Sequence, residues 1–151
     1  MTAVRVYNTI IGPISLTESD GFLVGVSFSR LPDEGPETTL LRDGERELHQ
    51  WLAGDIDRFT IPWKEEGTIF MRSVWSEILK IGRGRVTTYG DIAKKIGKPT
   101  AARAVGGACH RNPLPLVIPC HRVLGASYSL TGFAAPIELK ETLLRREGVL
   151  L

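Results

Sequence analysis

The chain has few cysteines and no long hydrophobic run. Only two of its 151 residues are cysteine, Cys109 and Cys120, which argues against a disulfide-rich secreted domain. A structural disulfide between them is an open alternative, although reduced thiols fit the composition better. No apolar run approaches the ~20 residues of a membrane-spanning helix, and residues 1–10 lack the basic-then-apolar pattern of a signal peptide. We therefore expect an intracellular protein that does not enter a membrane.

Metal-ligating residues are also sparse. Three histidines and two cysteines lie scattered, without the spacing of a zinc site. A zinc site, if there were one, would use the two Cys-His dipeptides, Cys109-His110 and Cys120-His121. We predict no metal.

Acidic residues are nearly absent from the middle of the chain. Residues 80–122 contain nine Lys or Arg and one acid, Asp91, whereas residues 1–79 contain seven basic and thirteen acidic residues. A segment of net charge +8 that follows one of −6 favours a polyanion-binding face, and nucleic acid above all. The alternative is an ordinary solvated surface.

The amino-terminal part reads as short strands and one helix. Gly12-Pro13 and Asp20-Gly21 are turn signals between runs of β-branched residues. An apolar stripe predicts a helix that Gly54 ends. The predicted elements are strands Val4–Tyr7, Ile14–Thr17 and Leu23–Ser29, helix Thr38–Ala53, and an edge segment Phe59–Trp63.

The remainder reads as helices. Thr88 and Asp91 have the spacing of a capping box before a short helix, and Gly97-Lys98-Pro99 forms a turn to the next helix. A helix, a short turn and a second helix among basic residues outline a helix-turn-helix. The other predicted helices are Phe70–Ile81, Ala101–His110 with Thr100 as its cap, and Pro136–Gly148.

Two adjacent glycines, Gly106 and Gly107, fall inside the second helix of that pair. Each costs roughly 1 kcal/mol relative to alanine, so something must approach closely there. One interpretation is tight packing against another helix. The other is that a slim helix presses into a DNA groove, and Arg103 is then its one long donor.

The apolar run Pro115–Ile118 reads as a strand-like segment that ends at Pro119. It would deliver Cys120 to the floor of a pocket. Cysteine is the strongest ordinary side-chain nucleophile once ionised, and His121 follows it directly.

Three blocks resemble the O6-alkylguanine-DNA alkyltransferases (methylated-DNA–protein-cysteine methyltransferases): Gly84–Ala93, Ala102–Ala108 and Arg111–Val123. The match is dense from Phe70 to the end and weaker before it. The resemblance implies a mixed α/β (α+β) protein of two lobes. Residues 1–66 would form a small ribonuclease H-like lobe with an antiparallel sheet and a helix. Residues 67–151 would form a mostly helical DNA-binding lobe with the helix-turn-helix.

The resemblance also implies the activity. The damaged nucleotide is flipped out of duplex DNA, and its alkyl group passes from O6-alkylguanine, and from O4-alkylthymine, to Cys120. The thioether is permanent, so each molecule reacts once, without a cofactor. We expect a monomer that binds the minor groove with little sequence preference. It would be cytoplasmic and nucleoid-associated, or nuclear in a eukaryote.

Site roles follow from the same resemblance. His121 would activate Cys120 through a water, Glu147 would orient His121, and Tyr89 would donate to the leaving guanine and help rotate the backbone. From the residues alone, Glu147 reads as an ordinary surface side chain. The implied DNA-binding residues are Arg103, which would fill the vacated stack, with Ala102, Gly106, Thr100 and Tyr89; the implied pocket residues are Val123, Phe133, Ala134 and Asn112.

The chain departs from the family before its last helix. Ala135 and Pro136 replace flexible glycines, which puts the tolerance of bulky O6 adducts in question. Cys109 is expected to be a packing residue rather than a second acceptor. The alternative functions are a non-catalytic alkylated-DNA-binding protein that signals to other repair factors, a cysteine hydrolase and a sequence-specific regulator.

Overall fold

A computed structural model describes residues 1–130 and 135–150. The chain divides into two compact units, Met1–Glu66 and Gly67–Leu151, called here the amino-terminal and carboxyl-terminal units. Within the described ranges, no helix combines the length and apolarity needed to cross a membrane.

The amino-terminal unit is a three-stranded antiparallel sheet with one helix. Asp20 and Gly21 both adopt positive φ, 50° and 86°, in the tight turn between the second and third strands. Such turns let pairing continue up to the turn itself, so the second strand runs past its predicted end. The first strand is also longer than predicted. The sheet order is β1-β2-β3, and the elements are β1 (Thr2–Thr9), β2 (Gly12–Ser19), β3 (Phe22–Ser27) and α1 (Thr39–Ala53).

A buried carboxylate ties α1 to the segment after it. The Thr38 side chain caps α1 by accepting from the Leu41 N–H, and Gly54 ends it at φ 83°. Glu47, on the buried face of α1, accepts hydrogen bonds from the Thr60 N–H at 2.6 Å, the Ile61 N–H at 3.3 Å and the Thr60 hydroxyl. Its charge is therefore compensated by neutral donors.

The carboxyl-terminal unit is mostly helical, and the predicted α/β class is confirmed. The first helix ends at Ile78, three residues before the predicted end, with Leu79 as its cap. The elements are α2 (Ile69–Ile78), β4 (Thr87–Thr88), α3 (Tyr89–Lys95), α4 (Ala102–His110), β5 (Val123–Leu124) and α5 (Ile137–Arg146). Two 3-10 turns, Cys120–Arg122 and Ala126–Tyr128, flank β5.

Two contacts fix the positions of these elements. The Trp75 indole N–H donates to the carbonyl of Ala108 at 3.0 Å and joins α2 to α4. Strand β4 pairs in parallel with β5, with Thr87 opposite Val123 and Thr88 opposite Leu124. This pairing places the start of α3 beside the turn that contains Cys120.

The predicted cap of α3 is confirmed, whereas that of α4 is wrong. The Thr88 hydroxyl accepts from the Asp91 N–H at 3.1 Å. Helix α4 has Ala101 as its N-cap, without a side-chain hydrogen bond, and Thr100 is exposed. The Ala101 N–H closes a turn onto the Lys98 carbonyl at 2.9 Å, which leaves Thr100 inside that turn and too early to cap.

The segment predicted as strand-like before Cys120 is instead a tight turn. Leu116 adopts φ 76°, and the Ile118 N–H donates to the Leu114 carbonyl at 2.8 Å. The side chain of Asn112 replaces a strand partner, because its amide donates to the Ile118 carbonyl and its oxygen accepts from the Leu114 N–H. The apolar side chains are buried as expected, but within a turn.

Candidate functional site

Cys120 is the first residue of the 3-10 turn Cys120–Arg122, and it is 1% exposed. The amide nitrogen of Asn112 donates to its Sγ at 3.0 Å, and the Asn112 backbone N–H donates to the Cys109 carbonyl at 3.3 Å. Both cysteines are free thiols. The turn thus holds the sulfur between helix α4 and the loop that Asn112 organises.

The surroundings of Cys120 favour the protonated thiol. Burial raises its pKa well above the ordinary value, and the interaction with the Cys109 thiol raises it further. The amide of Asn112 and the charge of Lys140 act in the opposite direction. A nucleophilic thiolate therefore requires a nearby base.

His121, Arg122 and Glu147 form a buried cluster next to that thiol. His121 Nε2 lies 2.9 Å from Glu147 Oε2, and Arg122 donates from Nε and Nη2 to the two carboxylate oxygens at 2.9 and 2.8 Å. Arg122 Nη1 also donates to the Ile81 carbonyl at 2.7 Å. The Glu147 side chain is 2% exposed, so the interpretation of Glu147 as a surface residue is wrong.

The cluster has a defined protonation state. Burial raises the pKa of Glu147, but hydrogen bonds from His121 and Arg122 outweigh it and lower the pKa to about 2. Burial lowers the pKa of His121, and Glu147 offsets this only in part. An ionised carboxylate can only accept a hydrogen bond, so neutral His121 carries its proton on Nε2. Its Nδ1 is then the basic nitrogen.

Sequence reasoning missed two residues of this site, Arg122 and Lys140. Lys140 is fully buried and donates to the Val123 carbonyl at 2.6 Å and to the Tyr89 Oη at 3.3 Å. A signal did exist for Lys140, because it precedes Leu143 and Leu144 by three and four residues and so shares their inward helix face. Nothing in the sequence distinguished Arg122 from the other basic residues around it.

Burial also affects the ammonium of Lys140. Burial lowers the pKa of its ammonium to about 8, while Cys109 and Cys120 act to raise it. Its Nζ lies 5.6 Å from the centre of the Tyr89 ring. Because Lys140 donates to the phenolic oxygen, the Tyr89 O–H can in turn donate to a bound group.

A pocket of about 580 Å³ lies between α3, α4 and the segment after β5, and of the site residues described above only Tyr89 lines it. Cys120, Val123 and Asn112, which the sequence placed at the pocket, are not among its lining residues. Four predicted DNA-binding residues line it together: Tyr89, Ala102, Arg103 and Gly106. Thr100 does not line it. The other lining residues are Thr88, Gly90, Asp91, Lys94, Gly125, Ala126 and Ser129.

Helix α4 presents an open face. At Gly106 and Gly107 an added Cβ would meet no atom within 4 Å, so the interpretation that these glycines pack against another helix is wrong. Arg103 is exposed and makes no ion pair within residues 1–130 and 135–150. The small residues leave room for a partner from outside the chain.

Two predicted pocket residues, Phe133 and Ala134, lie outside the described residues. Pro136 is the N-cap of α5 at φ −55°. In the described part of the chain, no group of three or more His, Cys, Asp or Glu side chains is placed to hold a metal ion.

Comparison with known proteins gives consistent matches. The family model described as 6-O-methylguanine DNA methyltransferase, DNA binding domain, matches residues 69–149. A methylated-DNA–protein-cysteine methyltransferase of Methanosarcina acetivorans is 41% identical over 150 residues, covering 95% of this chain and 96% of its own. A constitutive enzyme of the same name from Bacillus subtilis is 40% identical over 117 residues, covering 77% of this chain and 71% of its own.

Solved structures of O6-methylguanine methyltransferases are similar to this chain over almost its full length. The O6-methylguanine methyltransferase of Mycobacterium tuberculosis superposes with a TM-score of 0.87 at 35% identity, covering 97% of this chain and 93% of that one. A crystal structure of the M. tuberculosis protein in complex with DNA gives 0.86 at 35% identity, with coverages of 95% and 91%.

Proposed function

The chain belongs to the 6-O-methylguanine DNA methyltransferase family, and on that premise we propose that Cys120 is its alkyl acceptor. Membership makes it a DNA-repair enzyme that transfers an alkyl group from methylated DNA to a protein cysteine. The observation that carries the residue assignment is the buried Cys120 thiol beside the His121–Glu147–Arg122 cluster.

The first step is activation of the sulfur. His121, neutral and with its basic nitrogen at Nδ1, accepts the Cys120 proton directly or through one water. Glu147 fixes this tautomer and stabilises the imidazolium that forms, while Arg122 keeps Glu147 ionised. The thiolate attacks the alkyl carbon, the carbon–O6 bond breaks, and its electron pair goes to the guanine.

The second step is stabilisation of the leaving guanine. Tyr89 donates its phenolic hydrogen to the base as negative charge develops, and Lys140 supports the phenolic oxygen from behind. The carbonyls of Cys120 and Val123 accept from the exocyclic amine, and Asn112 holds the loop around them. The products are unmodified guanine and S-alkylcysteine, and no group in the site can cleave that thioether.

DNA engagement is assigned to α4. Its open Gly106 and Gly107 face lies against the minor groove, and basic residues around it neutralise phosphates without reading bases. Arg103, at the rim of the pocket, occupies the stack after the damaged nucleotide has flipped. O4-alkylthymine presents the same alkyl–oxygen bond and is the second substrate.

The test is the mass of the intact protein after incubation with duplex DNA that contains O6-methylguanine. We expect a gain of about 14 Da on Cys120, one methyl per molecule, and no gain in Cys120→Ser. Continued repair by a substoichiometric amount of protein contradicts the proposal. Tight duplex binding without any mass gain favours the non-catalytic binding protein instead.

Arg103→Ala separates flipping from chemistry. We expect slower repair of duplex DNA, by about tenfold or more, because the vacated stack collapses. Reaction with a free base such as O6-benzylguanine should stay near the rate of the unmodified protein. Equal losses on both substrates contradict the stack-filling role.

A further inference from the structure

The turn after β5 holds an exposed aromatic side chain in an unfavourable backbone conformation. Ser127 and Tyr128 adopt φ 57° and 58°, although a bulky side chain at positive φ is an outlier. A turn that needs positive φ at two successive positions favours pairs such as Asn-Gly. Tyr128 is 63% exposed, so burial of its ring does not offset this strain in the free protein.

Backbone hydrogen bonds hold the turn in this conformation. The Gly125 N–H donates to the Ser129 carbonyl at 2.7 Å, and the Tyr128 N–H donates back to the Gly125 carbonyl at 3.0 Å. The Ser129 N–H donates to the Ala126 carbonyl at 3.3 Å. Within residues 1–130 and 135–150, the Tyr128 side chain makes no hydrogen bond and no ring contact. The protein therefore fixes the backbone of Tyr128 but leaves the ring available to a partner.

This turn forms one wall of the pocket of about 580 Å³. Ala126 and Ser129 line the pocket, and Arg103 lines it from α4. Tyr128 lies between Ala126 and Ser129 in the chain, yet it is not a lining residue. Its ring therefore lies beside the pocket rather than inside it, next to the surface through which α4 is proposed to engage DNA.

Flipping creates a need for such a ring. When a nucleotide leaves the stack, the bases that it covered and the base opposite it lose contacts. Arg103 is proposed to enter the vacated space, but one side chain does not cover all of these faces. An aromatic ring stacks on any of the four bases, because each has a π face. A second side chain of this kind meets the need without reading sequence.

We propose that Tyr128 stacks on a base that flipping uncovers, and that this contact makes the protein bind damaged DNA more tightly than undamaged DNA. The proposal rests on the proposed engagement of DNA through α4 and on the flipping of the damaged nucleotide. Tyr128 is then a specificity-determining residue that takes no part in the alkyl transfer. The strained turn presents its ring to solvent, where a base can cover it.

The experiment measures duplex affinity in a Cys120→Ser background, so that no transfer removes the lesion during the titration. Tyr128→Ala should bind a duplex that contains O6-methylguanine about 5- to 100-fold more weakly, because one base loses its aromatic partner. Its affinity for the undamaged duplex should stay within about twofold, because there all bases remain stacked. Tyr128→Phe keeps the ring and should bind both duplexes as the parent does.

Two further variants control for the fold and for the backbone. Phe22→Ala removes an exposed aromatic side chain of the amino-terminal unit, 41% exposed, and should leave both affinities unchanged. Tyr128→Gly removes the strain together with the ring and should bind the damaged duplex as weakly as Tyr128→Ala. Thermal unfolding of each variant checks that the fold is kept.

Fluorescence of 2-aminopurine reports the contact itself, because stacking quenches it. The analogue is placed on either side of the lesion or opposite it, and the complex is formed with the parent or with Tyr128→Ala. At one of these positions the Tyr128→Ala complex should be brighter. Equal fluorescence at all three positions overturns the proposal.

The affinities can also overturn it. If Tyr128→Ala weakens binding to both duplexes equally, the contact does not depend on flipping. If Tyr128→Ala or Tyr128→Gly binds the damaged duplex as the parent does, the ring makes no contact, and if Tyr128→Phe loses as much as Tyr128→Ala, the hydroxyl makes it. No alkyl transfer enters these readouts, so failure here is distinct from failure of the acceptor assignment, which appears as an absent mass gain on Cys120.

Discussion

The two units both bury a glutamate, and they compensate its charge in different ways. In the amino-terminal unit Glu47 accepts from two backbone N–H groups and a hydroxyl, none of which titrates near neutral pH. In the carboxyl-terminal unit Glu147 pairs with His121 and Arg122. A buried glutamate therefore stabilises the fold in one unit, whereas in the other it fixes the tautomer of a histidine.

Charge follows the same division. Residues 1–66 carry six basic and twelve acidic side chains, whereas residues 67–151 carry thirteen and five. The basic unit is also the one that contains the pocket, the open glycine face and the cysteines. Matched substitutions in the two units test whether the alkyl-transfer rate depends on the carboxyl-terminal unit alone.

The largest effect is expected for Glu147→Gln against Glu47→Gln. A neutral amide at 147 leaves Arg122 buried without its counter-charge and no longer fixes the His121 tautomer. We expect the alkyl-transfer rate to fall by roughly 10²–10⁴-fold and the free energy of unfolding by about 3 kcal/mol.

Glu47→Gln should reduce only stability, by about 1–3 kcal/mol, because one donor near Thr60 loses its acceptor. Single-turnover kinetics and denaturant unfolding separate the two readouts. A rate loss of tenfold or more in folded Glu47→Gln contradicts the contrast between the units.

A smaller effect is expected for Lys140→Met against Arg5→Met. Both side chains donate to backbone carbonyls, Lys140 to Val123 and Arg5 to Val4 and Gly35. Loss of the Lys140 charge removes support for the Cys120 thiolate and the Tyr89 oxygen, so we expect about 10–100-fold slower transfer. Arg5→Met should keep the transfer rate and lose about 1 kcal/mol of stability. An unchanged transfer rate in Lys140→Met, with a slower rate in Arg5→Met, would contradict the role of Lys140.

The smallest effect is expected for Gly106→Ala against Gly44→Ala. The new methyl at 106 meets open space, so helix propensity should raise the free energy of unfolding by up to ~1 kcal/mol. At 44 it would meet Leu16 and Ile61 side-chain atoms at 3.1 and 3.3 Å and lower stability by about 1 kcal/mol.

Gly106→Ala should stabilise the fold but weaken DNA binding. A methyl on the side of α4 that we propose faces DNA should weaken duplex binding several-fold while reaction with the free base is unchanged. Thermal unfolding and a duplex titration measure both. Unaltered duplex affinity would place the groove contact elsewhere on the unit.

Local signals predicted most of the elements. Thr38 and Thr88 supply their own capping hydroxyls, and Gly54 ends α1, because these interactions close within four residues. Thr100 misled the prediction, since the turn from Lys98 to Ala101 decides which residue can cap. The prediction of a strand-like segment at Pro115–Ile118 was also wrong, because hydrogen bonds from the Asn112 side chain hold this apolar segment in a turn.

Residue types and spacing alone determined that this chain has a cysteine followed directly by a histidine, set within a strongly basic segment. Only the tertiary structure decided whether Glu147 faced water or the histidine, and whether Gly106 and Gly107 faced a helix or open space. It also decided that Lys140 contacts Tyr89 and the Val123 carbonyl. These contacts join residues far apart in the chain, and burial, which shifts the pKa of every group in the cluster, does not exist until they form.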